Sequence, residues 1–235
     1  MLSFKQIGVS AGTDKVTHHG YDRFYPRFLD GLRDMSGAML EIGIDKYRSL
    51  KLWQDYFPHA FIYGIDIGAE FLDHRSRVFK ADQSSESDLA MVQTLIDKPV
   101  HFIIDDGSHV PEHQILTFNH YFRYLLEPGG VYIVEDIETS YWNKKSIYGY
   151  PTNYGYKHQS SFIERVKPLV DSINREFLNE AASAAVKAAC GSINPATVDM
   201  ISTMTFGQNC VIFVKKTAAE AEYTGRKYRF SDKVD

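Results

Sequence analysis

The chain has 235 residues, 44% hydrophobic and 24% charged, a size and composition suited to one globular domain with a full core rather than two. Its net charge of −4 and pI near 6.1 leave no dense basic stripe to neutralise phosphates, so no nucleic-acid partner is expected. No stretch reaches the ~20 apolar residues of a membrane span, and no charged segment followed by an apolar run opens Met1–Gln6. Cys190 and Cys210 stand in no metal-ligand spacing, so the expectation is a cytoplasmic protein with two reduced thiols and no membrane partner.

The first twenty residues show no clear periodicity. A helix is predicted over Tyr21–Met35, with Phe24, Phe28, Leu29 and Leu32 on one face. Strands and helices then alternate. Ala38–Ile44 reads as a buried strand, Tyr47–Phe57 as a helix, Phe61–Ile67 as a second strand and Arg77–Ala81 as a short third one. Ser87–Ile96 is helical in pattern behind the possible caps Ser84 and Ser85, Val100–Asp106 is a fourth strand, and Pro111–Leu126 a helix. Glu127-Pro128-Gly129-Gly130 breaks the chain before a fifth strand, Val131–Asp136.

A polar, Tyr-rich loop (Tyr141–Tyr156) leads into a long helical stretch, His158–Phe177, and an Ala-rich segment closed by Gly191. Val198–Phe206 and Asn209–Lys215, joined by Gly207-Gln208, form a terminal hairpin. Strands separated by helices imply right-handed crossovers and a mainly parallel sheet. The expected fold is therefore α/β and Rossmann-like: a seven-stranded mixed sheet of five parallel-type strands plus an antiparallel hairpin, with helices on both faces.

Ligands bind such sheets at the carboxyl ends of the strands, and the chemistry-bearing residues cluster there. Gly43 ends the first strand, where backbone must turn tightly against a ligand, and Asp66 ends the second, roughly twenty residues on, where a carboxylate meets ribose hydroxyls. Gly43-Ile44-Asp45-Lys46-Tyr47-Arg48 carries a single glycine instead of G-x-G-x-x-G. S-adenosylmethionine presents no phosphate, so one tight turn suffices for it, and the lone glycine favours it over NAD. Asp82, followed by Gln83 at the end of the third strand, is placed on the adenine side; the alternative is a helix cap.

Asp105 and Asp106 end the fourth strand, and Glu135 and Asp136 end the fifth. Carboxylates on adjacent strands repel and pay a desolvation cost unless compensated. Mg²⁺ would relieve both, because it takes oxygen ligands and keeps waters or substrate oxygens, and Asp106, Glu135 and Asp136 are the expected ligands. The alternative is that these acids cap helices or bind lysines. His109, three residues after Asp106, is positioned to take a proton from a substrate hydroxyl. His109-Val110-Pro111-Glu112-His113 also matches a zinc-peptidase pattern, but Pro111 reads as the first residue of a helix and leaves His109 outside it.

Gly12-Thr13-Asp14-Lys15, Leu40-Glu41-Ile42-Gly43, Tyr63-Gly64-Ile65-Asp66, Ile104-Asp105-Asp106-Gly107-Ser108-His109, Pro128-Gly129-Gly130 and Val134-Glu135-Asp136 occur in this order. Together they resemble the class I O-methyltransferases that act on macrolide deoxysugars, the macrocin and mycinamicin group, over about Gly12 to Trp142. The resemblance implies a Mg²⁺-dependent O-methyltransferase using S-adenosylmethionine. Asp106, Glu135 and Asp136 would be its metal ligands and His109 its base, with Glu41, Asp66 and Asp82 near the cofactor. Gln83 and Asp105, on the same strand ends, are counted with the cofactor contacts. The acceptor would be a glycosylated small molecule and the enzyme a homo-oligomer. Residues 1–37 would then serve substrate or oligomer contacts, 38–216 would form the methyltransferase domain, and 217–235 a tail.

Tyr141, Trp142, Tyr148, Tyr150, Tyr154 and Tyr156 suit either stacking on an acceptor or an oligomer contact. A cephalosporin-hydroxylase-like relative and a non-catalytic cofactor-binding subunit are the alternative readings. An NAD-dependent oxidoreductase fits less well, because of the single glycine and the hairpin.

Overall fold

Strand alternation decides which acids meet. In the computed structural model, which describes residues 1–143 and 152–223, eight strands form one mixed sheet. These are β1 Ala38–Ile42, β2 Phe61–Asp66, β3 Phe71–Leu72, β4 Ser76–Lys80, β5 Val100–Asp105, β6 Leu126–Glu135, β7 Ile201–Gly207 and β8 Cys210–Lys215, in the order β3-β4-β2-β1-β5-β6-β8-β7. The five central strands run parallel. β8 runs antiparallel to β6, and β7 to β8.

Successive side chains on a strand face opposite sides, and the core divides accordingly. One cluster holds Met39, Phe102, Ile104, Val131 and Ile133 with Phe4, Tyr25 and Trp53. The other holds Leu40, Ile103, Tyr132 and Val134 with Leu89, Phe118, Phe162 and Phe213. By the same alternation Glu41 and Glu135 take the first face, and Asp105 takes the second.

The helices are α1 Phe4–Ala11, α2 Asp14–Thr17, α3 Pro26–Leu29, α4 Arg48–Tyr56, α5 Glu86–Leu95, α6 Pro111–Thr117, α7 Phe162–Val166, α8 Leu169–Ile173, α9 Glu180–Cys190, α10 Pro195–Val198 and α11 Ala218–Glu222. The aperiodic N-terminus contains α1, which starts with a capping box: the Ser3 hydroxyl accepts the Gln6 amide while the Gln6 side chain accepts the Ser3 amide. α1 is only 8 residues long, too short to stand without tertiary packing. Its Phe4 and Ile7 are buried, with Phe4 edge-on to Tyr25 and Tyr56.

Other expectations need correction. The sheet has eight strands rather than seven because β3, two exposed residues, adds an antiparallel edge to β4; so short a strand leaves no periodicity. The helix expected over Tyr21–Met35 is broken into a 3-10 turn at Tyr21–Arg23, α3 beginning at Pro26, and another 3-10 turn at Asp30–Leu32. Pro26 has no N–H to continue the preceding turn but suits a first helical position. Pro168 likewise splits the helix expected over His158–Phe177 into α7 and α8. The break at Glu127–Gly130 lies inside β6, as a register shift against β5.

Because Phe4 fills a ring of buried aromatics, Phe4→Ala is expected to destabilise the fold by roughly 3–5 kcal/mol in urea unfolding. A loss below 1 kcal/mol would mean that α1 is not part of the core.

Candidate active site

Gly43 follows β1 and β5 carries straight on into Asp106, so the two turns lie almost in contact. Gly43 has φ +88 and a Cβ there would stand 2.2 Å from the Asp106 carbonyl oxygen, so only glycine fits. The loop beyond it is tied down by Asp66, whose Oδ2 accepts the Ile44 amide (3.0 Å) and whose Oδ1 accepts those of Gly68 (2.7 Å) and Ala69 (2.9 Å). These residues and Thr13, Asp14, Thr17, Asp106, His109 and Asp136 line a cleft of about 650 Å³.

α2 forms the other wall. It is placed by close approach to α1, where a Cβ on Gly8 would stand 2.2 Å from Val16 Cγ2. The placement drives Lys15, 1% exposed, into the strand ends. Its Nζ lies 2.5 Å from Asp106 Oδ2, 2.6 Å from Glu135 Oε2 and 3.4 Å from Glu41 Oε1. Burial alone would lower the Lys15 pKa, but the charges of Asp106, Glu135 and Glu41 outweigh it and hold the ammonium above its ordinary value. Burial pushes the Glu41 carboxyl up; Lys15 opposes this, and so does the Ser49 hydroxyl, which donates to Glu41 Oε2 (2.6 Å). Tyr25 donates its hydroxyl to the remaining oxygen of Glu135.

Outside this knot lies a second group. Donor atoms of Asp106, His109 and Asp136 all fall within 4.8 Å of one another. His109 (φ +54) and Asp136 (φ +52) both hold left-handed backbone, a strain that marks sites where surrounding structure imposes a side-chain direction. Asp136 Oδ1 accepts the Tyr21 hydroxyl (2.8 Å) and Asn209 Nδ2 (2.9 Å), while its Oδ2 lies 3.7 Å from His109 Nε2. A further cleft of about 1050 Å³ opens here, lined by His18, His19, Glu138, Tyr141, Trp142, Phe206 and Asn209 among others. Asp14, His109 and Asp136 line both clefts.

Of the residues expected at the cofactor, Gly43 and Asp66 line the smaller cleft. Glu41 is buried beneath it against Lys15. Asp105 and Gln83 brace the turn instead: Gln83 Nε2 donates to both Asp105 oxygens (2.7 and 2.8 Å), Thr117 donates to Asp105 Oδ2 (2.7 Å), and Gln83 Oε1 accepts the Ser108 amide (2.8 Å). Asp82 accepts the amide and hydroxyl of Ser84 (2.8 and 2.7 Å) in the turn before α5.

Among the expected metal ligands, Asp106 and Asp136 are brought together, whereas Glu135 is engaged by Lys15 and Tyr25. His109 precedes α6, which Pro111 opens, and the His113 ring meets the Ser108 hydroxyl (2.9 Å). Tyr141 and Trp142 reach the larger cleft, Tyr154 donates to Glu112 (2.5 Å), and Tyr148 and Tyr150 lie outside the described residues. Lys15, Asp14 and Asn209 were not foreseen as site residues, and Tyr21 and Tyr25 only as part of an N-terminal segment meant for substrate or oligomer contacts; the Gly12-Thr13-Asp14-Lys15 run is the signal for Asp14 and Lys15.

No family model matches the sequence. The chain is 34% identical over 179 residues to the L-olivosyl-oleandolide 3-O-methyltransferase of Streptomyces antibioticus, covering 71% of this chain and 44% of that protein. It is 32% identical over 171 residues to the demethylmacrocin O-methyltransferase of Streptomyces fradiae, covering 69% of this chain and 42% of that one. Over the matched residues the chain is similar to the macrocin and mycinamicin O-methyltransferase group. It spans less than half the length of these relatives. The fold of the group is shared as well: the methyltransferase MycE of the mycinamycin pathway, solved in complex with Mg, SAH and mycinamycin VI, superposes with a TM-score of 0.76 at 23% identity, covering 96% of this chain and 57% of that one.

If the Gly43 turn is as tight as its contacts require, Gly43→Ala should cost roughly 1–3 kcal/mol for the left-handed backbone alone in denaturant unfolding, with more from the contact with Asp106. An unchanged midpoint would show that the two turns can separate.

Proposed function

We infer that this chain transfers the methyl group of S-adenosylmethionine to a hydroxyl of a glycosylated small molecule, with Mg²⁺ at the junction of the two clefts. The observation that carries the reading is that junction. The glycine-turn cleft and the larger aromatic-walled cleft share Asp14, His109 and Asp136, so a donor in one and an acceptor in the other would meet at a histidine and a carboxylate. The activities named for the two Streptomyces relatives, and the Mg, SAH and mycinamycin VI of the MycE complex, support the same assignment.

The residues present fit the metal. Mg²⁺ takes hard oxygen ligands and keeps several waters, and Asp106 and Asp136 offer carboxylate oxygens on the cleft side of the acidic knot. When bound there, it would supply the positive charge that lowers the pKa of an acceptor hydroxyl. The chain's own residues do the rest. Tyr21 and Asn209 fix the Asp136 carboxylate. The left-handed backbone at His109 turns its ring toward Asp136, where it can accept the hydroxyl proton. Gln83 and Asp105 hold the intervening turn. Most of the rate gain would come from aligning the oxygen with the sulfonium methyl. Tyr141 and Trp142 give the acceptor cleft flat apolar faces suited to a sugar ring. The reading includes a homo-oligomer in the cytoplasm; no helix among the described residues is long and apolar enough to cross a membrane.

The test is transfer of labelled methyl from S-adenosylmethionine to rhamnosylated or olivosylated aglycones, with and without EDTA. Transfer that EDTA abolishes and Mg²⁺ restores is expected, and His109→Ala should lower turnover roughly 10²–10⁴-fold with an unchanged circular dichroism spectrum. EDTA-resistant transfer would remove the metal, and normal turnover in His109→Ala would remove the base.

A further inference from the structure

The run His109-Val110-Pro111-Glu112-His113 sets an acid in the first turn of α6, just beyond the proposed base. Glu112 lines neither cleft and its side chain is 47% exposed, yet both of its oxygens are engaged. Oε2 accepts the Tyr154 hydroxyl (2.5 Å) and Oε1 accepts Arg165 Nη2 (2.9 Å). Each donor belongs to a segment that walls the larger cleft. The Tyr154 amide donates to the Trp142 carbonyl (2.7 Å), and Trp142 lines that cleft. Arg165, on α7, lies in sequence between Ile163 and Lys167, which line it as well. The other Arg165 arm, Nη1, donates to the Ser192 hydroxyl (3.3 Å).

We propose that Glu112 is a positioning residue for the acceptor: through Tyr154 and Arg165 it holds Trp142, Ile163 and Lys167 at a set distance from His109, and so selects the acceptors that fit the larger cleft. The proposal rests on the reading of that cleft as the acceptor site and adds to it a residue that touches no substrate. A carboxylate this exposed contributes little to stability, whereas two charge-assisted hydrogen bonds from separate segments fix direction as well as distance. Pro111 opens α6 with a fixed φ directly after the His109 turn. Both wall segments are therefore tied to the same rigid helix start that follows the base. Tyr154 acts here as a strut of the wall, not as a stacking surface.

The experiment combines acrylamide quenching of tryptophan fluorescence with steady-state kinetics on the full chain. Of the two tryptophans, Trp53 is fully buried in the core, so the quencher reads Trp142, with Trp142→Phe as the blank. Glu112→Ala is expected to raise the Trp142 quenching constant roughly twofold and the KM for a rhamnosylated or olivosylated acceptor roughly tenfold, while kcat and the KM for S-adenosylmethionine change less than about threefold. Tyr154→Phe should raise the quenching constant in the same direction. Glu112→Gln keeps one acceptor oxygen and should recover roughly half of the Glu112→Ala effect. Melting midpoints should stay within about 3 °C of the unmodified chain. An unchanged quenching constant in Glu112→Ala overturns the proposal, as does an equal rise in both KM values. A midpoint lowered by on the order of 10 °C would make Glu112 a structural residue and overturn it too. If the unmodified chain methylates none of these acceptors, the functional reading fails, and quenching alone then judges the Glu112 tie by the same criterion.

Discussion

An ammonium group almost closed off from water lies against carboxylates from β1, β5 and β6. Glu41 and Glu135 are buried, and each would cost several kcal/mol to bury as a lone charge; Lys15 offsets that cost, while Asp106 stays partly exposed. Lys15 comes from α2, outside the strand–helix alternation, so the charge balance of the site also docks the N-terminal segment. Tyr25 and Tyr21, stacked on one another, continue that docking by donating to Glu135 and Asp136. The N-terminal helices are thus part of the site: they supply its counter-ion, two of its hydrogen-bond donors, and a wall common to both clefts.

The other organising constraint is the two-residue period of the strands. It sends Asp105 to the face of α5 and α6, where Gln83 and Thr117 satisfy it, and leaves Asp106 on the side of Lys15. At the end of β6 the period puts Glu135 inward, and the left-handed Asp136 then departs from it toward the clefts. Four acids that look like one cluster in sequence therefore fall into three settings: support of the turn, pairing with Lys15, and the lining of the two clefts.

Much of the fold was legible because its signals are local. The central strands, α4 and α5, and the terminal hairpin follow from apolar runs, caps and a Gly-Gln signal that lies one residue ahead of the actual Gln208-Asn209 turn. Gly43 and Asp66 were found at the right strand ends for the same reason. What escaped depends on contacts remote in sequence. α1 is short and held by Phe4 among Tyr25 and the α4 aromatics Trp53 and Tyr56. β3 is two residues on an edge. Lys15 meets Asp106 and Glu135, 91 and 120 residues away, and nothing near it in the chain announces them. Neighbouring acids look like one cluster until strand alternation is applied: Asp105 then meets Gln83 and Thr117, Glu135 meets Lys15 and Tyr25, and Asp106, His109 and Asp136 stand at the junction.

The central claim is that the glycine-turn cleft binds S-adenosylmethionine and not a dinucleotide. It is tested most directly by calorimetric titration of the chain with S-adenosylhomocysteine and with NAD, each with and without Mg²⁺. The account predicts saturable one-to-one binding of S-adenosylhomocysteine and none of NAD. Binding of NAD, or of neither ligand, would contradict it and leave only the fold in place.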